Sequence, residues 1–171
     1  MKKSVKIIIA GEGGVGKTTL LHRYITGKFN SEFKLTKGVS FVNKDLEINK
    51  EAYQLILWDF AGQIQFRELL PDFVKGLVGA ILMFDLSRFY TLSTLDHWVK
   101  MINKEGNIPT IIIGSKYDLV NDEIDSIINI DNIVLDFLMN HDTCFSYLKT
   151  SSKTGYNVEK AFDLLIYELT F

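Results

Sequence analysis

The 171-residue sequence predicts an α/β fold built on a mostly parallel sheet, and three features carry that prediction. Apolar runs alternate along the chain with segments of helical spacing, the order expected of strand–helix units. The runs IIIA, AILMF and TIIIG are apolar throughout, as strands covered on both faces require. A glycine-rich stretch, Gly11 to Thr18, separates the first such run from a helical segment, which marks a tight strand-to-helix turn.

The elements follow in order. A first strand at Val5–Ala10 runs into GEGGVGKT, and the helical run Thr19 to Gly27 comes after it. Strands at Val39–Ile48 and Tyr53–Trp58 are separated only by Asn49-Lys50-Glu51, which reads as a hairpin and adds one antiparallel edge strand. Further strands at Ala80–Phe84, Thr110–Gly114 and Cys144–Lys149 bring the sheet to six. Leu95, Trp98, Val99 and Ile102 recur at helical spacing, as do Val158, Ala161, Phe162, Leu165 and Leu169, and both stripes read as core faces. Asn157 stands where an N-cap would open the last helix. Two prolines, Pro71 and Pro109, and no low-complexity tract leave no linker, so residues 1–171 are expected to form a single domain with helices on both faces of the sheet.

Composition removes several classes of function. A net charge of −2 supplies no basic field to offset phosphates, so no nucleic-acid partner is expected. Cys144 is the sole cysteine, which excludes an intrachain disulfide and fits a reducing compartment. No apolar run reaches the roughly 18 residues of a membrane span. The sequence ends YELTF without a cysteine, and no glycine follows the initiator, so no intrinsic prenyl or myristoyl anchor is expected. The expectation is a cytoplasmic protein, with any membrane recruitment made through a partner. His22, His97 and His141 do not cluster with acidic residues or Cys144 at metal-ligand spacing and read as surface or helix residues.

Four segments carry chemistry, each at the carboxyl end of an expected strand, where open sheets of this kind bind ligands. GEGGVGKT fits the phosphate-cradling pattern G-x-x-x-x-G-K-[ST] at every position. Glu12, Gly13, Gly14, Val15, Gly16, Lys17, Thr18 and Thr19 form the candidate loop. Its amides and the helix N-terminus behind them favour a polyphosphate. Lys17 is placed to reach the β- and γ-phosphates, and the Thr18 hydroxyl to ligate Mg²⁺. In WDFAGQ, Asp59 is the candidate second holder of Mg²⁺, Gly62 offers a bare N–H to a γ-phosphate, and Gln63 can orient an attacking water. In GSKYDL, the Asp118 carboxylate can accept from the N1–H and 2-amino group of guanine, a donor pair that adenine lacks. Lys116 would lay its stem along the ring. The plainer alternative for that segment is a solvated loop at a strand end. TSSKTG, with Ser151, Ser152 and Lys153, can turn backbone amides toward the guanine O6, or can be a plain Ser/Thr/Gly turn.

In this order and at this spacing, GEGGVGKT, TKGVSF, WDFAGQ, GSKYDL and TSSK resemble the Ras-superfamily small GTPases over essentially the whole chain. TKGVSF and WDFAGQ are most similar to the Rab-like branch, and FRELLPDFVKGLVGAILMFDLSR to Rab-like GTPases of archaea. The resemblance implies the P-loop NTPase fold known as the G domain, with GTP and GDP as substrate and product and Mg²⁺ as cofactor. It also implies slow hydrolysis, a nucleotide-dependent molecular switch, and an effector, an exchange factor and an activating protein at the switch segments. It assigns Phe29 to stacking on the base and Thr36 to Mg²⁺ and the γ-phosphate. Without it, Phe29 reads as a helix-end core aromatic and Thr36 as a loop residue.

Two alternatives stand beside the switch: a guanine-nucleotide scaffold that barely hydrolyses, and an ATP-dependent enzyme sharing only the phosphate loop, against which Lys116 and Asp118 argue. The chain departs from the family pattern at Ser115, where asparagine is usual. Asparagine there ties the base loop to the phosphate loop, and the shorter serine is expected to lower guanine-nucleotide affinity by about 0.5–1.5 kcal/mol, on the order of one lost hydrogen bond. Phe60 and Ile64 replace a common threonine and glutamate, and Ile64, Phe66 and Leu70 read either as a partner surface or as packing against the neighbouring helix.

Overall fold

Alternating isoleucines in β1 (Lys3–Gly11) face two separate cores, which is what places this strand in the middle of the sheet. The computed structural model describes residues 2–32, 38–61, 70–120, 122 and 124–170. After β1 come α1 (Lys17–Thr26), β2 (Val39–Ile48), β3 (Glu51–Phe60) and the single turn α2 (Leu70–Phe73). Then follow β4 (Gly79–Asp85), α3 (Leu95–Ile102), β5 (Thr110–Ser115), α4 (Ile124–Met139), β6 (Cys144–Lys149) and α5 (Val158–Thr170). The six strands lie in the order β2-β3-β1-β4-β5-β6, with β2 antiparallel to β3 and every other pair parallel.

Ile8 and Ala10 join α3 and α4 on one face, where Leu95, Trp98, Val99 and Ile102 are buried as their spacing implies. Ile7 and Ile9 join α1 and α5 on the other, where Tyr24 stacks on Phe162 with ring centroids 3.6 Å apart. Helices therefore cover both faces, as expected. Burial pushes the Cys144 thiol up to about 11, in keeping with an inert core position.

Three local expectations change. The hairpin turn is Asn49-Lys50 alone, both residues at positive φ (51° and 66°), and Glu51 already belongs to β3. Two successive left-handed residues match the right-handed twist of the strands they join. Asn157 does not cap α5 with its side chain: its φ is 55°, and Nδ2 instead donates to the Lys149 carbonyl at 3.0 Å. Helix α1 starts at Lys17, two residues earlier than its apolar pattern suggests, because Gly16 (φ 97°) turns the chain straight into it. Among the described residues no helix is long and apolar enough to cross a membrane.

Gly11 closes β1 where that strand lies against β4, with φ 141° and a position that would bring a Cβ to 2.2 Å from the Met83 carbonyl oxygen. Both obstacles are backbone, so Gly11→Ala should lower stability by roughly 3 kcal/mol or more. Denaturant unfolding measures it, and an unchanged midpoint would contradict the close approach.

Candidate functional site

Because β3, β1, β4, β5 and β6 are mutually parallel, the loops leaving them gather on one edge of the sheet. The loop after β1 runs through Glu12, Gly13, Gly14, Val15 and Gly16. Gly14 and Gly16 take left-handed φ of 73° and 97°, and no side chain caps the helix that begins at Lys17. The first-turn amides of α1 and the positive end of its dipole are thereby aimed at the loop's concave side. Gly13 gives its N–H to the Glu12 carboxylate at 3.0 Å. Lys17 is only 6% exposed, and its ammonium folds back to donate to the carbonyls of Gly11 (3.0 Å) and Glu12 (2.8 Å).

Thr18 and Asp59 meet although 41 residues separate them. The Thr18 hydroxyl donates to Asp59 Oδ2, and Asp59, near the end of β3, is 1% exposed. A hydroxyl and a carboxylate within one hydrogen bond of each other are hard oxygen donors, the set that suits Mg²⁺ beside phosphate oxygens. The donor chemistry fits the cation that the sequence implies.

A cavity of about 260 Å³ opens beside the phosphate loop. Val15, Gly16 and Thr19 line it from the phosphate loop, Phe29 from beyond α1, Ser115, Lys116 and Asp118 from the end of β5, and Ser152 and Lys153 from the loop after β6. Phe29 is 40% exposed here, so it is not a core aromatic. Asp118 Oδ1 accepts from the Ser151 hydroxyl at 2.5 Å, while Ser151 itself is buried and held through its N–H to Tyr156 O at 3.0 Å. Lys116 sits at φ 60°, a left-handed conformation uncommon for a side-chain-bearing residue. Thr36, Gly62, Gln63, Ile64 and Phe66 lie outside the described residues, as does the side chain of Leu70.

Ser115 still reaches the phosphate loop. Its hydroxyl is buried between the Val15 carbonyl (2.6 Å) and the Phe84 carbonyl (2.9 Å). Serine therefore still ties the base loop to the phosphate loop. Its single proton must be shared between two acceptors, whereas an amide would bring two.

Sequence reasoning passed over Asp85 and Arg88. Asp85 closes β4 and is 0% exposed. Its Oδ2 accepts from Lys116 Nζ at 2.7 Å and from Arg88 Nε at 2.8 Å, and its Oδ1 from the N–H and hydroxyl of Ser87 at 2.9 and 2.6 Å. Burial raises the Asp85 carboxyl, but the hydrogen bonds from Lys116, Ser87 and Arg88 outweigh it and leave the group below the ordinary carboxylate value. The signal was present as a lone charge ending the all-apolar run AILMF.

The Ras family matches residues 6–170 of this chain. Similar proteins include the Ras-related protein Rab-7b of Homo sapiens, 32% identical over 96% of this chain and 81% of the relative. The Ras-related protein Rab-18-B of Danio rerio is 34% identical over 95% and 78%. The Ras-related protein Rab7 of Glycine max is 33% identical over 92% and 78%.

The Asp85 shift gives a pH dependence of known sign. A carboxylate whose folded value is depressed stabilises the fold fully above its ordinary value of 3.8, and that contribution fades as pH falls through the lower folded value. In unfolding measured between pH 5 and pH 2 (roughly the range over which a paired aspartate titrates), Asp85→Asn should flatten the slope of stability against pH. An identical slope in the variant would remove Asp85 as a source of acid sensitivity.

Proposed function

This chain belongs to the Ras family, and we propose that within it the chain works as a switch that binds GTP, hydrolyses it slowly to GDP, and changes the shape of two surface segments as it does so. Membership, with Rab-named relatives at about a third identity, supports guanine-nucleotide binding and GTPase activity. The observation that carries the reading is the convergence of Lys17, Thr18, Asp59 and the base-loop residues Lys116 and Asp118 around one phosphate loop and one cavity. We take residues 1–171 as one G domain.

In this reading the loop amides from Gly14 to Thr19 hold the phosphate chain, and Lys17 exchanges its two carbonyl partners for phosphate oxygens. Thr18, Asp59 and Thr36 would hold Mg²⁺, which would neutralise negative charge developing on the phosphates. Asp118, steadied by Ser151, accepts from the guanine edge, a donor pair that adenine does not offer. Phe29 and the Lys116 stem lie along the base, and Ser152 and Lys153 close its far side. Gln63 orients the attacking water.

No arginine stands between Asn30 and Ser40. A Cβ on Gly13 would meet nothing within 4 Å among the described residues, which fits a cation brought there by an activating protein. For this enzyme class unassisted turnover is about 10⁻⁴ per second, and such an arginine raises it about 10⁵-fold. The output is therefore conformational: the γ-phosphate orders Thr36 and Gly62, and hydrolysis releases them.

Partner binding fits the aromatic row Phe41–Trp58–Phe73, with ring centroids 5.2 and 5.3 Å apart. Phe41, 58% exposed, follows the first switch segment in sequence, and Phe73 follows the second.

Two measurements test the reading. GTP should displace a fluorescent GDP analogue from the chain while ATP at a hundredfold excess does not; equal displacement would defeat the role of Asp118. In single-turnover assays Gln63→Leu should release phosphate at least about tenfold more slowly than the parent with GTP affinity kept. A parent that shows no hydrolysis would favour the scaffold alternative.

A further inference from the structure

We propose that Asp85 and Arg88 are positioning residues for nucleotide retention, gripping the phosphate loop from outside so that its amides stay turned toward the phosphates, an assignment that rests on the guanine-nucleotide reading above. Arg88 reaches past Asp85 to donate from Nη2 to the Gly13 carbonyl at 3.2 Å, while Nη1 meets the Tyr90 hydroxyl at 3.4 Å. Lys116, held by the same Asp85 oxygen, donates to the Gly14 carbonyl at 2.9 Å. Ser115 donates to the Val15 carbonyl at 2.6 Å. Three successive loop carbonyls thus accept from three side chains at the ends of β4 and β5.

The consequence follows from peptide geometry. In a planar trans peptide the C=O of one residue and the N–H of the next point in opposite directions. Holding the carbonyls of Gly13, Gly14 and Val15 on the outside therefore holds the N–H groups of Gly14, Val15 and Gly16 on the inside. Those are three of the amides the phosphate chain needs. The loop cannot do this alone, because Gly13, Gly14 and Gly16 leave its backbone free to rotate peptide planes.

Charge adds to geometry. Two cations share one buried carboxylate, so a net positive charge stays behind the loop, and charge-assisted bonds to its carbonyls are about twice as strong as neutral ones. The fit leaves little slack: a Cβ on Gly14 would lie 3.3 Å from Arg88 Nη2. Arg88 faces the carbonyl side of these peptides, away from their amides, so it positions the loop and does not itself supply an arginine to the reacting phosphate. Asp85 orients both cations at once. Its contacts to Ser87 fix the carboxylate, and the 3₁₀ segment Phe89–Thr94 holds the strand end through the Thr91 hydroxyl, which accepts from the Asp85 N–H at 2.9 Å.

Arg88 is about a third exposed, so its variants should fold. Release of a fluorescent GDP analogue, chased with excess GDP in magnesium buffer, reads the effect. Arg88→Ala should release about tenfold faster than the parent, the loss of one charge-assisted bond. Arg88→Lys, which keeps the positive charge but not the fork that spans Asp85 and the Gly13 carbonyl, should release at a rate between the two. Release from Arg88→Ala at the parent's rate, or equally fast release from both variants, would overturn the clamp while leaving nucleotide binding intact. A parent chain that holds no GDP analogue would overturn both readings.

Discussion

The arrangement of this protein depends on one constraint: a glycine-rich loop must present its amides inward while its carbonyls, equally polar and equally numerous, find partners on the other side. Lys17 takes the carbonyls of Gly11 and Glu12, Arg88 that of Gly13, Lys116 that of Gly14 and Ser115 that of Val15. Buried backbone groups left unpaired cost about 1–3 kcal/mol each, so a loop with inward amides is tolerable only if its outward face is satisfied. The sheet makes this affordable by topology. Strand β4 lies between β1 and β5, so residues at the ends of β4 and β5 arrive at the loop that leaves β1.

The buried charges follow the same logic. Asp85, Asp59 and Lys17 are nearly without solvent, and moving an ion out of water costs several kcal/mol even after relaxation. An apolar residue at the end of β4 would pack into the same sheet at no such cost. What a carboxylate there does, and an isoleucine cannot, is hold two cations at fixed positions behind a flexible loop. The stability gained from the pairs is modest, and their return is in geometry.

Much of this was legible in the sequence, for identifiable reasons. Apolar runs located β1, β4 and β5 to within about two residues, because a central strand covered on both faces has few polar residues to mislead the eye. The phosphate loop and Asp118 were legible because their chemistry needs particular residue types at fixed spacing. The turn at Asn49-Lys50 was misjudged by one residue, since two left-handed residues are required there and lysine is a poor advertisement for that conformation. Asn157 carried the composition of a cap but spends its amide on Lys149, a contact between β6 and α5 that no local pattern encodes. Arg88 was passed over because Asp85 and Gly13, two of its partners, lie 3 and 75 residues away, and only folding brings both to one guanidinium.

Ser115 shows why a departure from a motif has to be weighed against its surroundings. By length alone serine should forfeit the tie to the phosphate loop. In place it bonds Val15 because β5 carries its Cβ close to the loop, and the neighbouring Phe84 carbonyl competes for the same proton. An asparagine would satisfy both acceptors with two protons, so the tie here is weaker without being absent. The adjacent Asp85–Arg88–Lys116 cluster binds the two preceding carbonyls with charged donors, which are stronger than a hydroxyl. A loop held by two cations can tolerate a lighter grip at the third carbonyl, and in a chain with that cluster the serine is a compensated exchange.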